Sequence, residues 1–466
     1  MSPPRLALIG AGDRGADVYA DYLRRYPDEG VLVALAEPDK ARQSRVAERH
    51  ALPATGHHDD WRSLLANADI GIDGVIVATP DGEHVAPAAA ALEQGVDVLI
   101  EKPIADNADE LNQLRQAADA SDATVTVAHV LRHTPFFARL HELVAQQAIG
   151  ELVHLDHTEA IGHWHFAHSY VRGNWRRAAD SSPMLLAKAC HDLDILRWLA
   201  GSACTSVAST GALRHFRVDN APEGAPQRCL DGCPAASTCP FHAGRFYLEQ
   251  LRDWTGWPVT TLVADPTDLR AREDALRQGP YGRCVYRADN DVADHQQVLL
   301  GFSNGVSATL TVTAFTPRNA RTVAVRGTRG EILGDLEHGT LTVRTVPAAW
   351  HDAPADDAET ARRRTAPVPL HDEHSERVSL APHPHDHPIA PIVNMVGHAG
   401  GDDAIMRDFA RRLRGRLAGA PREEARTSLA ESLDSHLMAF AAEEARRAGD
   451  VRRPASTHRG DPNQEP

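Results

Sequence analysis

The stretch LALIGAGDRGADVYADYL, Leu6–Leu23, decides the fold. Leu6–Ile9 is a short apolar run that reads as a buried strand, and Ala16–Leu23 has the spacing of an amphipathic helix. Between them Gly10, Gly12 and Gly15 permit a tight turn and a close backbone approach to a ligand. Such a turn aims helix N–H groups at a pyrophosphate, and Asp13 and Arg14 stand inside it. A glycine triplet alone is weak, since incidental Gly-rich turns share it. Here a strand precedes it, a helix follows, and Glu37 ends the second strand 22 residues after Gly15. A carboxylate there accepts hydrogen bonds from a ribose 2′-hydroxyl and repels a 2′-phosphate. NAD is therefore expected over NADP, although Arg14 and Arg42 weaken the preference.

Outward from this unit, apolar strands alternate with amphipathic helices as far as about Val130. VLVALAE, GVIVATP, VDVLIEK and TVTVAHV read as strands, and APAAAALEQG and ADELNQLRQAADA as helices. The alternation predicts a doubly wound parallel sheet, an α/β Rossmann domain over residues 1–131. From about Gly150 the texture changes. ELVHLDHTEAIGHWH, DHQQVLLGFSNGVSATLTVTAF, RTVAVRGTRGEILGD and GTLTVRTV alternate with period two around Gly-containing turns, as in antiparallel sheets. SPMLLAKACHDLDILRWLAG reads as a helix started by Pro183 and ended by Gly201. The expectation is an α+β domain over 132–450 with a large, mostly antiparallel sheet. Residues 348–391 are read as a loop insertion, two helices follow, and 451–466 are read as a disordered tail.

Composition bounds the partners. The 466 residues are 42% hydrophobic and 24% charged, ordinary for a globular protein of two domains. A net charge of −15 argues against nucleic acid, no apolar run reaches a membrane span, and MSPPRLALIGAG is no secretory signal. Six cysteines in so long a chain are no disulfide framework, which suits a cytoplasmic protein.

Carboxyl ends of strands line the ligand crevice of a doubly wound sheet. Two such ends carry candidate residues: Thr79 and Pro80 end one strand, His84 begins the next helix, and Glu101–Lys102 end the following strand. A lysine kept from bulk water can handle a substrate proton, whereas a plain strand-end ion pair is the bland alternative. Gly10–Gly15, ATPDGEH (Ala78–His84) and EKP (Glu101–Pro103), in this order, resemble the glucose–fructose oxidoreductase and inositol dehydrogenase family, Gfo/Idh/MocA. The resemblance continues through CHDLDILRWLAG, Cys190–Gly201. It implies Lys102 as the active-site lysine, His191 as the catalytic histidine and Asp194 as the acid one turn later. It also implies a sheet often used for homo-oligomer contacts, a dimer or tetramer, and NAD(P)-linked oxidation or reduction of sugar and cyclitol hydroxyls. Many family members carry an aspartate four residues before this histidine; here that position is Ala187, followed by Lys188.

On a helix Lys188, His191 and Asp194 share a broad face, and a histidine can take a hydroxyl proton as hydride leaves. Lys188 next to His191 would lower its pKa or bind an anionic group. HFAHSYVRGNWRRAADSSP supplies His168, Arg172, Trp175 and Arg176, either a substrate loop or a structured surface loop; Arg132 carries the same ambiguity. Cys229, Cys233 and Cys239, with His242 and the distant Cys284, are either a structural zinc site or packing cysteines. His383–Pro388 is His-rich, and His398 and Asp402 precede a helix that Asp402 or Asp403 could cap.

The reading is an NAD-dependent oxidoreductase acting on a sugar, polyol or sugar acid. His191 removes the hydroxyl proton and Lys102 bonds the same oxygen. Two alternatives remain: an NAD-dependent glycosidase working by transient oxidation and elimination, and a non-catalytic NAD-binding sensor.

Overall fold

A computed structural model describes residues 2–346, 371–378 and 398–455. The first sheet is wholly parallel: β1 (Arg5–Ile9), β2 (Val31–Ala36), β3 (His57–His58), β4 (Gly74–Val77), β5 (Asp97–Ile100) and β6 (Val125–Val127), in the order β3-β2-β1-β4-β5-β6. Every residue of β4 and β5 is buried because helices cover both faces. These are α1 (Asp13–Ala20, continuing as Asp21–Arg25), α2 (Lys40–Arg49), α3 (Trp61–Leu65), α4 (Val85–Glu93) and α5 (Ala108–Asp119). Side chains fix where they begin: Asp39 accepts from the Ala41 and Arg42 N–H groups, and Asn107 from that of Glu110. The strand order reverses between β1 and β4, which opens a crevice at their carboxyl ends.

After α6 (Pro135–Ala145), the second sheet runs β14-β13-β12-β11-β7-β10-β9-β8. Its strands are β7 (Leu152–Gly162), β8 (Cys204–Ala212), β9 (His295–Phe302), β10 (Ser307–Thr316), β11 (Ala320–Gly327), β12 (Gly330–Asp335), β13 (Thr340–Thr345) and β14 (Asp372–Arg377). All neighbours are antiparallel except β7 and β10. One face packs on α8 (Met184–Ala200), whose Leu186, Leu193 and Leu196 join Leu155, Leu310 and Val325 in one core.

Several expectations need correction. β7 stops at Gly162, and His163–Phe166 with Ala167–Arg172 is helical (α7) rather than more strand. The supposed loop 348–391 contains β14, paired with β13; its other residues, His383–Pro388 included, lie outside the described residues, apart from His371 and Val378. Arg452, placed in the tail, exchanges backbone hydrogen bonds of 2.8 Å with Val207; residues 456–466 lie outside the description. The final helices do not belong to the second domain alone. In α10 (Gly401–Leu417), Ile405, Phe409 and Leu413 pack with Leu6, Leu8 and Leu32 under the first sheet. Each such side chain contributes about 1.5–3 kcal/mol on burial. The last helix, α11 (Leu429–Ala448), gives Leu429, Leu433 and Leu437 to the first core and Met438, Ala441 and Ala442 to the second.

Candidate active site

At the end of β1 the chain turns at Gly10 with φ of +93°, a conformation that favours glycine. A Cβ on Gly10 would sit 2.5 Å from the Ala78 carbonyl oxygen, and one on Gly15 2.0 Å from that of Gly10. Gly12 differs: a Cβ there meets nothing within 4 Å, so its backbone faces open space. No side chain caps α1 at Gly12, which leaves its first N–H groups to an anion. The Thr79 hydroxyl, at the end of β4, is buried without a partner among the described residues. These groups fit a dinucleotide. Glu37 accepts from the N–H groups of Ala11 at 2.7 Å and Asp39 at 3.0 Å, tying β2 to the glycine turn. Its carboxylate keeps lone pairs free for a ribose. Pro80 is exposed at the head of the following turn.

Three residues expected at the cofactor are bonded to other parts of the protein. Arg14 donates to Glu101 at 2.5 Å, Asp402 at 2.8 Å and the Tyr19 hydroxyl at 2.9 Å, so its charge is matched inside the protein. Glu101 takes Arg14 and the Tyr19 hydroxyl on one oxygen and the Lys102 N–H, at 3.0 Å, on the other. His84 faces the carbonyls of Pro103 at 2.6 Å and Thr79 at 2.9 Å and braces those two strand ends. Burial pushes the Asp13 carboxyl up to about 6, against the pull of Arg14.

Lys102 reaches the helix that carries His191, and its charge is felt there. The Lys102 ammonium donates to the Ala187 carbonyl at 2.8 Å, in α8, one turn before His191. The lysine thus finds a backbone acceptor in this helix. His191 is 3% exposed, and neither ring nitrogen has a partner among the described residues. Burial, then the Lys102, His129 and His398 charges, hold its pKa well below the usual value, so the imidazole is neutral. The rings of His129 and His398 lie 5.6 and 5.7 Å away. His398 Nδ1 stands 3.0 Å from Asp402, and His398 and Ala399 have φ of +43° and +53°, strained for non-glycine residues. Burial alone would raise Asp402, but Arg14 and His398 outweigh it and hold the carboxylate ionised. Sequence reasoning noticed His398 and Asp402 only as helix neighbours, because nothing local links them to His191.

The residues expected to touch substrate are mostly committed elsewhere. Arg132 and Asp194 form a buried bidentate pair, both contacts 2.7 Å, so they are each other's partners. The Trp175 indole N–H donates to Asp81 at 3.0 Å, an oxygen that also accepts from Ser181 and Ser182. Arg176 pairs with Asp289 at 2.9 Å. Lys188 is balanced by Glu159 at 3.2 Å; burial lowers its pKa and Glu159 opposes the fall. Sequence reasoning missed the rest of this network. Arg321 lies 2.7 Å from Glu159 and 2.8 Å from Asp192, and Asp192 is 2.7 Å from His157 Nε2. His165, in the mis-assigned end of β7, stands near Lys188: burial and then that ammonium depress its pKa. Cys229, Cys233, Cys239 and Cys284 surround a separate cavity.

Comparison with known proteins agrees with this architecture. Residues 5–129 match the family described as an oxidoreductase family with an NAD-binding Rossmann fold, and residues 137–226 match the Gfo/Idh/MocA C-terminal domain. The chain belongs to the Gfo/Idh/MocA family. It is 31% identical over 224 residues to inositol 2-dehydrogenase 4 of Saccharopolyspora erythraea, covering 47% of this chain and 60% of that one. It is 25% identical over 271 residues to the putative oxidoreductase YteT of Bacillus subtilis, covering 57% and 61%. The matches therefore span less than two thirds of those relatives. Among solved structures, levoglucosan dehydrogenase in complex with NADH and levoglucosan superposes with a TM-score of 0.64 at 20% identity, covering 97% of this chain and all of that one. An oxidoreductase domain protein from Kribbella flavida gives 0.65 at 19%, covering 98% and 100%. These likenesses show the fold.

Proposed function

We propose that the protein is an NAD-dependent dehydrogenase of sugar or cyclitol hydroxyls. One observation carries it: a neutral, unpartnered His191 faces an ammonium delivered from the other domain, beside a glycine turn open to a dinucleotide. Bound NAD supplies the hydride acceptor. The Lys102 ammonium hydrogen-bonds the substrate oxygen and stabilises charge that develops there. A ring nitrogen of His191 takes the hydroxyl proton. The relatives named for inositol and levoglucosan support the substrate class.

The position of Glu37 supports NAD, which should bind more tightly than NADP, with Glu37→Ala narrowing the gap. Six unpaired cysteines support a reducing, cytoplasmic setting; no helix among the described residues is long and apolar enough to cross a membrane. The open face of the second sheet, where Leu299 is 53% exposed, is the proposed self-association surface. A screen of polyols, sugars, sugar acids and glycosides for NADH formation tests the reading. Release of free sugar without NADH would replace it with the glycosidase, and NAD binding with no turnover of any compound would leave a sensor.

A further inference from the structure

Three consecutive residues take positive φ where the chain enters α10: His398 at +43°, Ala399 at +53° and Gly400 at +89°. Two of them are not glycine, and such backbone persists only where the surrounding structure holds it in place. The turn sets the His398 ring 5.7 Å from that of His191. It also sets Nδ1 of that ring 3.0 Å from Asp402, whose carboxylate is 4% exposed. Arg14 donates to the other Asp402 oxygen at 2.8 Å and, with His398, keeps the carboxylate ionised.

An ionised carboxylate can only accept hydrogen bonds. The His398 proton therefore sits on Nδ1, and Nε2 is left with a bare lone pair. Burial lowers the pKa of this ring; Asp402 opposes the fall, and Arg14 and Arg321 add to it, so the imidazole stays neutral. His191 is neutral as well and likewise has one bare nitrogen. The two rings differ in access and support. His191 is 3% exposed with no partner on either nitrogen, whereas the His398 side chain is 26% exposed and has a carboxylate behind it. One hydroxyl carries one proton and can donate to only one of two acceptors. With hydrogen bonds of about 2.8 Å, rings this close suit two hydroxyls on adjacent carbons.

We propose that the site reads a vicinal diol: His191 takes the proton of the reacting hydroxyl, His398 accepts a hydrogen bond from its neighbour, and Asp402 fixes the His398 tautomer. This assignment rests on the dehydrogenase reading and narrows its substrate class. Arg14 links Asp402 to Glu101, which accepts the Lys102 N–H, so one charge cluster anchors the groups at both oxygens. A compound without the second hydroxyl leaves the His398 lone pair unmatched and is discriminated against.

The test compares inositol, glucose and glucuronate with their monodeoxy analogues by NADH formation, the product identifying the carbon that reacts. Loss of one hydroxyl beside it should lower kcat/KM roughly 10–100-fold in the unaltered enzyme, the effect of one acceptor left unsatisfied. In His398→Leu the diol should fall to the level of its deoxy analogue, so that the ratio collapses to about 1. A purely structural histidine would slow both compounds equally and keep the ratio, which overturns the proposal. His398→Gln, which retains an acceptor oxygen, should restore part of it. Asp402→Asn should narrow it, because an amide donates to Nδ1 and sends the ring proton to Nε2. If His398→Leu does not fold, an unchanged ratio in Asp402→Asn overturns the proposal. If no compound forms NADH, the dehydrogenase reading fails separately, and the ratio is read from calorimetric affinities of the NADH-loaded protein. Equal affinities there, or no binding of either compound, overturn the diol site.

Discussion

The glycine edge of the first sheet and the charged surroundings of α8 build one crevice by opposite means. At the edge, each residue's task follows from its immediate neighbours. Gly10 turns, Gly15 admits the helix, and Glu37 returns to Ala11 across adjacent strands. Around α8, function depends on partners far along the chain: Arg132 with Asp194, Arg321 with Glu159 and Asp192, Arg14 with Asp402. Stereochemistry is a local property, whereas the neutrality of a buried charge is a property of the assembled fold. The first region should therefore tolerate change by shape and the second by charge balance.

The largest effect tests the point where the regions touch. His191→Ala or Lys102→Met should lower turnover by roughly 10²–10⁴, the worth of a positioned proton acceptor, while calorimetric NAD affinity survives. Because both serve one proton transfer, the double variant should be far less impaired than the product of the two. The depressed pKa of His191 adds a sign: the imidazole stays neutral through the usual range near 6.5, so the acid limb of kcat/KM should lie below it. Near-normal turnover in both variants would dissolve the shared site.

Arg321→Met should come next. It removes the cation shared by Glu159 and Asp192 and leaves them only Lys188 and His157 respectively, a loss of up to about 3–5 kcal/mol in denaturant unfolding. A change within experimental error would show that charge balance does not govern this region. On the other side, Gly15→Ala should cost about 1–3 kcal/mol through its clash with the Gly10 carbonyl. Gly12→Ala, in open space, should leave the melting temperature unchanged and weaken only NAD binding. Equal destabilisation by both would contradict the local reading of the loop.

The last effect depends on pH and lies at the rim of the charge network. Glu337 has both carboxylate oxygens buried without hydrogen-bond partners, and burial pushes its pKa up from 4.5 to about 8, against Arg321. The folded state thus favours the protonated acid, and stability is lost as pH rises from about 4.5 to about 8. Glu337→Gln should match the unaltered protein at pH 4 and exceed it increasingly up to about pH 8, followed by thermal melting. Parallel pH profiles would place Glu337 in water.

What the sequence made legible divides along the same line. Strand and helix periodicity, the glycine spacing, Lys102 and His191 could be read directly because each is a short-range pattern or a strand-end position. Arg14, Arg132, Asp194, Trp175 and Arg176 stood out in the sequence as charged or aromatic residues, but their side-chain partners did not. Their partners Asp402, Asp81 and Asp289 lie between 62 and 388 positions away, counting Arg132 with Asp194 as the shortest separation. His165 was hidden because HWH continues the apolar alternation of β7 although the chain turns into a helix at His163. The fourth cysteine, Cys284, lies beyond the helix α9 (Leu269–Gln278) and becomes a neighbour of the other three only through a backbone ladder, Cys284 N–H to Gln227 and Cys229 N–H to Gly282.

The helix α11 has a kinetic consequence. Its first half is rooted in one core and its second half in the other, and the three donors that converge on Asp81 fasten the opposite side of the crevice. A swing of one domain against the other would have to break one of these attachments. Small molecules must then come and go past local segments such as α7 and the strained turn at His398, and exchange rates will follow the mobility of those segments rather than any jaw-like opening.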